Sequence, residues 1–257
     1  MILMRILPDV LKELSKHVPT VLFQTVEWNE LIHELPKISR RIIQKEGFNE
    51  LFEARKIFLT PLNIQLTNSA VNQSHLAEQK WAAEKLLTLY FTQLFSSQGL
   101  FLDLRLEHFE NQKPNLIWHP SHLWTKFNED FRLGLLDVYE GFYLGNDDLY
   151  YLGLGKIGLL KPNFTESENQ KLGEIFKEQF GKALDEEMSF DLDHFKSSII
   201  KLSHFMLEKK VHISKDFLYL GIYLVTLYSS LEKIKVKLPV KKIFLEAREY
   251  LKSKELS

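Results

Sequence analysis

Apolar and polar residues alternate along most of this chain with the three-to-four spacing of amphipathic helices. That spacing predicts helices over residues 8–18, 26–46 and 47–58, the last with Phe48, Leu51, Phe52 and Ile57 turned inward. The second should be interrupted at Pro36, because proline removes a helical hydrogen bond and crowds the preceding turn. Pro61 and the alternation Asn63-Ile-Gln-Leu66 predict short extended pieces between 57 and 69. A long helix should then run from Ser74 to Gln98 and close at Gly99. Its buried face would hold Leu76, Trp81, Leu86, Leu87, Tyr90, Phe91 and Leu94.

After Gly99 the period changes to two. Leu102, Leu104 and Leu106 alternate with Asp103, Arg105 and Glu107, and a polar turn around Pro114 leads into Leu116-Ile-Trp-His119. This predicts a β-hairpin over 101–119. From Ser121 the helical spacing returns, over 121–143, 147–160, 166–183, 191–209, 214–232 and 238–253. Caps are expected at Ser121, Asp147, Thr165, Asp191 and Ser214. The fold class is mainly α: one α-rich domain over 1–257 with a small β-hairpin near 101–119, residues 1–72 forming its helical N-terminal part.

Composition narrows the function classes. The net charge of −1 gives no electrostatic reason to expect nucleic acid. The absence of cysteine excludes disulfides, thiol nucleophiles and thiolate metal sites. The longest apolar run, Phe217 to Leu231, falls short of the ~20 residues needed to span a bilayer and contains Gly221, Thr226, Ser229 and Ser230. It reads as a buried helix, with no transmembrane segment expected. The N-terminal apolar run is broken by Arg5 and Pro8, unlike a signal peptide. These features predict a cytoplasmic protein. Peripheral contact with acidic lipid stays open for the lysine-rich stretch Lys233 to Lys242, which reads first as a solvated connection between helices.

Gly153-Leu-Gly155-Lys-Ile-Gly158 matches the letters of a dinucleotide-binding fingerprint. Such a loop needs a helix starting inside it to hold the pyrophosphate. Here Leu159, Leu160 and Lys161 run into Pro162, which leaves no room for that helix. The better reading is a helix capped by Asn146 or Asp147, whose glycines admit a neighbouring helix closely.

Other chemistry is sparse. Asp103 is a candidate catalytic carboxylate. Asp103 and Glu107 on one strand face would lie about 13 Å apart, too far for a dyad. His119 and His122, near His108 and Glu107, are candidate metal ligands, but no ordered ligand pattern such as HExxH accompanies them. Ser121 lacks a nucleophile-elbow context. Asp130 and Asp137, about 10 Å apart on one helix face, are expected to pair with Arg132 and Lys126. Tyr139, Phe142, Tyr143, Tyr150 and Tyr151 read as core, with Asp137 or Glu140 receiving the hydroxyls; a pocket for an apolar or isoprenoid ligand is the alternative.

Gln93-Leu-Phe-Ser-Ser-Gln-Gly99-Leu-Phe-Leu-Asp103, the hairpin after it and the paired helices of 131–160 resemble the AarF/UbiB atypical kinase-like family. So do Val211 to Ile234 and the closing Glu246-Ala-Arg-Glu-Tyr-Leu251. The resemblance covers about residues 74–253, and it implies a kinase-C-lobe-like fold over 73–257. It places Asp103 at the catalytic aspartate. The departures bear on activity. Leu-Arg-Leu-Glu-His follows Asp103 where the family has P-H-P-G-N, His108 stands at the metal-binding asparagine, and His119-Pro-Ser121 stands where D-F-G is expected. Phosphoryl transfer needs those groups and a phosphate-holding lysine, and residues 1–72 offer no convincing lysine of that kind. The resemblance therefore implies a pseudokinase, with no cofactor, acting by binding or scaffolding a partner. The alternatives are a helical protein-interaction module unrelated to kinases, or a divergent phosphotransferase using Asp103.

Overall fold

The computed structural model describes residues 19–69, 76–181, 184 and 187–255. The helix expected at 8–18 and the cap expected at Ser74 lie outside them. Among the described residues there are ten α-helices and five short strands. They share one core that draws on every part of the described chain.

The N-terminal part contributes α1 (Leu22–Thr25), α2 (Trp28–Ile43) and α3 (Phe48–Leu59). α2 runs straight through Pro36, contrary to the expected break. Pro36 is exposed, so the carbonyl it frees can be hydrated. On α3, Phe48, Leu51, Phe52 and Leu59 are buried, but Ile57 points outward at 76 % exposure. The inward place one turn before Leu59 belongs to Arg55, which is fully buried.

After a 3₁₀ turn, β1 (Ile64–Leu66) pairs in parallel with β4 (Asn115–Trp118), which pairs antiparallel with β3 (Phe109–Gln112). β4 is therefore the middle strand, and its Trp118 is fully buried. The long helix, α4, covers Lys80–Leu94 and buries the expected apolar face, with Trp81 partly covered. β2 (Leu100–Phe101) then pairs antiparallel with β5 (Trp124–Thr125).

The β-hairpin is thus shorter than 101–119. Leu102, Asp103 and Leu104 are all fully buried, and Leu106–His108 form a 3₁₀ turn. A period of two usually marks one wet face, but here both sides of the segment are covered. The expected helix start at Ser121 is also displaced. Trp124 and Thr125 are taken by β2, and Asn128 caps α5 (Glu129–Leu144) by accepting from the Asp130 N–H at 2.9 Å.

α6 (Asp147–Lys156) packs antiparallel on α5 and is capped by Asn146. Of the fingerprint glycines, Gly153 and Gly155 lie in its last turns and Gly158 follows its end at positive φ. A Cβ at Gly153 would lie 2.6 Å from the Gly134 carbonyl of α5, and Gly141 faces the Tyr150 backbone just as closely. Glycine here permits helix contact, as the position of Pro162 implied. α7 (Glu166–Lys177) opens with a capping box at Thr165 and Glu168, and Asp191 caps α8 (Leu192–Glu208). α9 (Lys215–Ile234) is buried over almost its whole length. Ser214 occupies its cap position without making a cap bond. α10 (Val240–Glu255) follows. No described helix is long and apolar enough to cross a membrane.

Candidate functional site

The loop from Gly99 to His108 carries Asp103, and three helices hold it. From α3, Arg55 donates to the Gly99 carbonyl through Nε (3.1 Å) and Nη2 (2.5 Å). Burial pulls this guanidinium down to about 10, which leaves it charged at neutral pH. From α4, Gln93 accepts from the Phe101 N–H at 3.0 Å and donates to the Tyr223 hydroxyl at 3.0 Å. From α9, Thr226 Oγ1 accepts from the Leu104 N–H at 3.2 Å and lies 3.1 Å from the Leu102 carbonyl. Ser230 donates to the Leu104 carbonyl at 2.7 Å. An irregular segment with no solvent on either side needs such partners, because an unpaired buried backbone group loses its hydration without return.

Asp103 is fully buried. Arg105 grips it with Nε on Oδ1 (2.9 Å) and Nη2 on Oδ2 (2.7 Å), and its backbone N–H adds a contact to Oδ1 at 3.2 Å. His108 Nε2 sits 3.0 Å from Oδ2. Burial alone would raise this carboxyl. The bonds from Arg105 and then His108 outweigh it and hold the group well below the usual carboxylate range. Arg105 also reaches Glu107 at 2.9 Å, so the two carboxylates share one guanidinium rather than standing apart on an extended strand. With its lone pairs occupied, Asp103 has none to orient a substrate hydroxyl.

The hairpin exit is different. His119 is 7 % exposed, with Nδ1 2.8 Å from the Ser69 carbonyl. Its Nε2 lies 2.8 Å from Glu110 Oε1, an ion-pair distance whose angle falls short of hydrogen-bond alignment. His122 stacks on Phe48, ring centroids 4.4 Å apart. Burial, and secondarily the Lys45 ammonium, push its imidazole down. A cleft of about 190 Å³ opens between the α2–α3 turn, the end of β1 and this exit. The histidines do not converge as metal ligands: His108 is committed to Asp103 and His119 to Glu110. No group of three or more His, Asp or Glu suited to a metal occurs among the described residues.

The remaining sequence candidates are structural. Asp137 pairs with Lys156 (2.5 Å), and Arg132 pairs with Glu129 (2.5 Å) and the Phe95 carbonyl (2.6 Å), so the expected Asp130 and Asp137 pairings do not form. The aromatic residues are core. Tyr139 bonds Tyr90 at 2.6 Å and Tyr150 bonds the Gly173 carbonyl at 2.9 Å, while Glu140 is held by Arg248. Their cavity, about 40 Å³, suits one or two waters and is too small for an isoprenoid chain.

Sequence reasoning gave no bonding role to Arg55, Thr226 or Ser230. Arg55 had a readable signal, a charge in the apolar stripe Leu51, Phe52, Leu59. Thr226 and Ser230 lie one turn apart on a helix that is otherwise apolar, which marks a polar stripe facing backbone. No family model matches the chain, and no curated protein matches it.

Proposed function

We propose that this chain is a non-catalytic, kinase-C-lobe-like protein that works by binding a protein partner. The observation that carries the reading is Asp103: the one position available for a catalytic aspartate is buried and saturated by its own neighbours. The element order supports the same reading. A long helix leads into a short strand, a braced loop, a two-stranded hairpin and a strand returning to pair with the first. The positions that would hold metal are His108 and His119, each already engaged by an internal carboxylate. Phosphoryl transfer depends on metal and aspartate together, so the scaffold persists without its chemistry.

The test is a thermal-shift and phosphotransfer assay with ATP and magnesium. The expected result is no stabilisation by nucleotide and no transfer to water, protein or small hydroxyl compounds. Transfer abolished by Asp103→Asn would overturn the reading in favour of a divergent enzyme.

A further inference from the structure

The cavity of about 40 Å³ inside the aromatic core has a mixed wall. Most of it is aliphatic or aromatic, and a cavity lined only by such groups stays dry. Five polar side chains interrupt it: Tyr90 from α4, Tyr139 and Tyr143 from α5, Gln179 from the 3₁₀ turn after α7, and Tyr228 from α9. None of the five is more than 8 % exposed. Bulk solvent therefore does not serve them, and each polar atom needs an internal partner.

Their protons do not all find one. The Tyr228 hydroxyl donates to the Gln179 backbone carbonyl at 3.0 Å, which accounts for it. Tyr90 and Tyr139 share a single hydrogen bond between their hydroxyls, 2.6 Å long. Two hydroxyl protons and one bond leave one proton over, whichever ring donates. The Tyr143 hydroxyl makes no hydrogen bond among the described residues, and neither does Gln179 Nε2. Three donor groups from α4, α5 and the 3₁₀ turn are thus left over on the wall of one cavity. Each would lose its hydration without return unless an acceptor lies between them.

We infer that this cavity is a hydration site, holding one or two waters that accept from Gln179 Nε2 and the Tyr143 hydroxyl and take up the spare proton of the Tyr90–Tyr139 pair. A water needs roughly 10–15 Å³ and about two to four polar partners, and the cavity offers both. The tyrosine oxygens on the same wall can accept the water's own protons. An apolar guest would fill the space but answer none of the donors. The bound water ties α4, α5 and the turn after α7 through hydrogen bonds that their side chains do not make directly. The inference goes beyond the kinase-like reading and does not depend on it.

The experiment looks for long-lived water by NMR in the full-length chain, as water cross-relaxation at the Gln179 side-chain amide and the Tyr143 ring, with and without xenon under pressure. The parent should show cross-peaks from water at both positions, and xenon should leave them in place. Tyr143→Phe should weaken the signal at the Gln179 amide, and Gln179→Leu should weaken it at the Tyr143 ring. Both variants should also unfold at lower urea concentration, because each breaks a bond to water. Removing a donor that had no partner would instead raise the midpoint. Water cross-peaks absent from the parent, displaced by xenon or unchanged in both variants would overturn the inference. So would a midpoint that rises in both variants.

Discussion

The loop at 99–108 and the cleft at 119–122 lie within one short stretch of chain, yet they treat charge in opposite ways. In the loop Asp103 is answered by Arg105 and His108, and much of the backbone by Gln93, Thr226, Ser230 and Arg55. In the cleft Lys45 makes no ion pair among the described residues, and the His122 ring stacks on the face of Phe48. The carboxylate that the sequence offers as catalytic is held by ion pairs within its own loop. Reactivity follows unsatisfied valence, and residue type alone does not reveal it.

The contrast can be broken most forcefully at Asp103. Asp103→Ala leaves Arg105 and His108 without their acceptor in a buried setting, and should cost about 3 kcal/mol in urea unfolding. A change within ~0.5 kcal/mol, the range of ordinary surface substitutions, would mean that the clamp contributes little and that the aspartate is held for another purpose.

The same clamp sets an acid limit. The Asp103 carboxyl titrates below its ordinary value of 3.8, so across that window the unfolded chain binds more protons and stability rises with pH. Its contribution is complete above about pH 4 and is lost as pH falls through the folded-state value. Asp103→Asn should therefore be less stable than the parent at neutral pH but lose stability less steeply below pH 4, as read by denaturation across pH.

Smaller effects are expected from the helix that braces the loop. Thr226→Val removes bonds to both the Leu104 N–H and the Leu102 carbonyl and should cost about 1–2 kcal/mol; Ser230→Ala should cost about 1 kcal/mol. Hydrogen exchange at the Leu104 amide should accelerate in the first variant. The smallest effect belongs to the cleft. Lys45→Ala should leave unfolding free energy unchanged within ~0.5 kcal/mol. A large loss of stability there would erase the distinction between the two regions.

Much of this architecture was legible before any coordinates. The helical stripes, the buried character of Phe217 to Leu231, and the caps at Thr165 and Asp191 follow from local spacing and local hydrogen bonding. The failure of the glycine fingerprint followed from Pro162. Less legible was anything that depended on what lies across from a segment. Ser121 looked like a cap because nothing in the sequence revealed that β2 would claim Trp124 and Thr125. The alternation at 102–107 looked half-wet because period alone cannot tell one covered face from two. Ile57 looked buried because the stripe did not anticipate that Arg55 would turn inward to bond Gly99, 44 residues away.

The sequence by itself determined the class of the fold, since helical propensity and apolar periodicity act over a few residues and are written where they act. It also excluded whole chemistries, because a chain without cysteine has no thiolate to offer. Only the tertiary structure decided what Asp103, His119 and Lys45 are. The free energy of a charged group depends on its burial and on the charges and donors around it, and those neighbours come from distant parts of the chain.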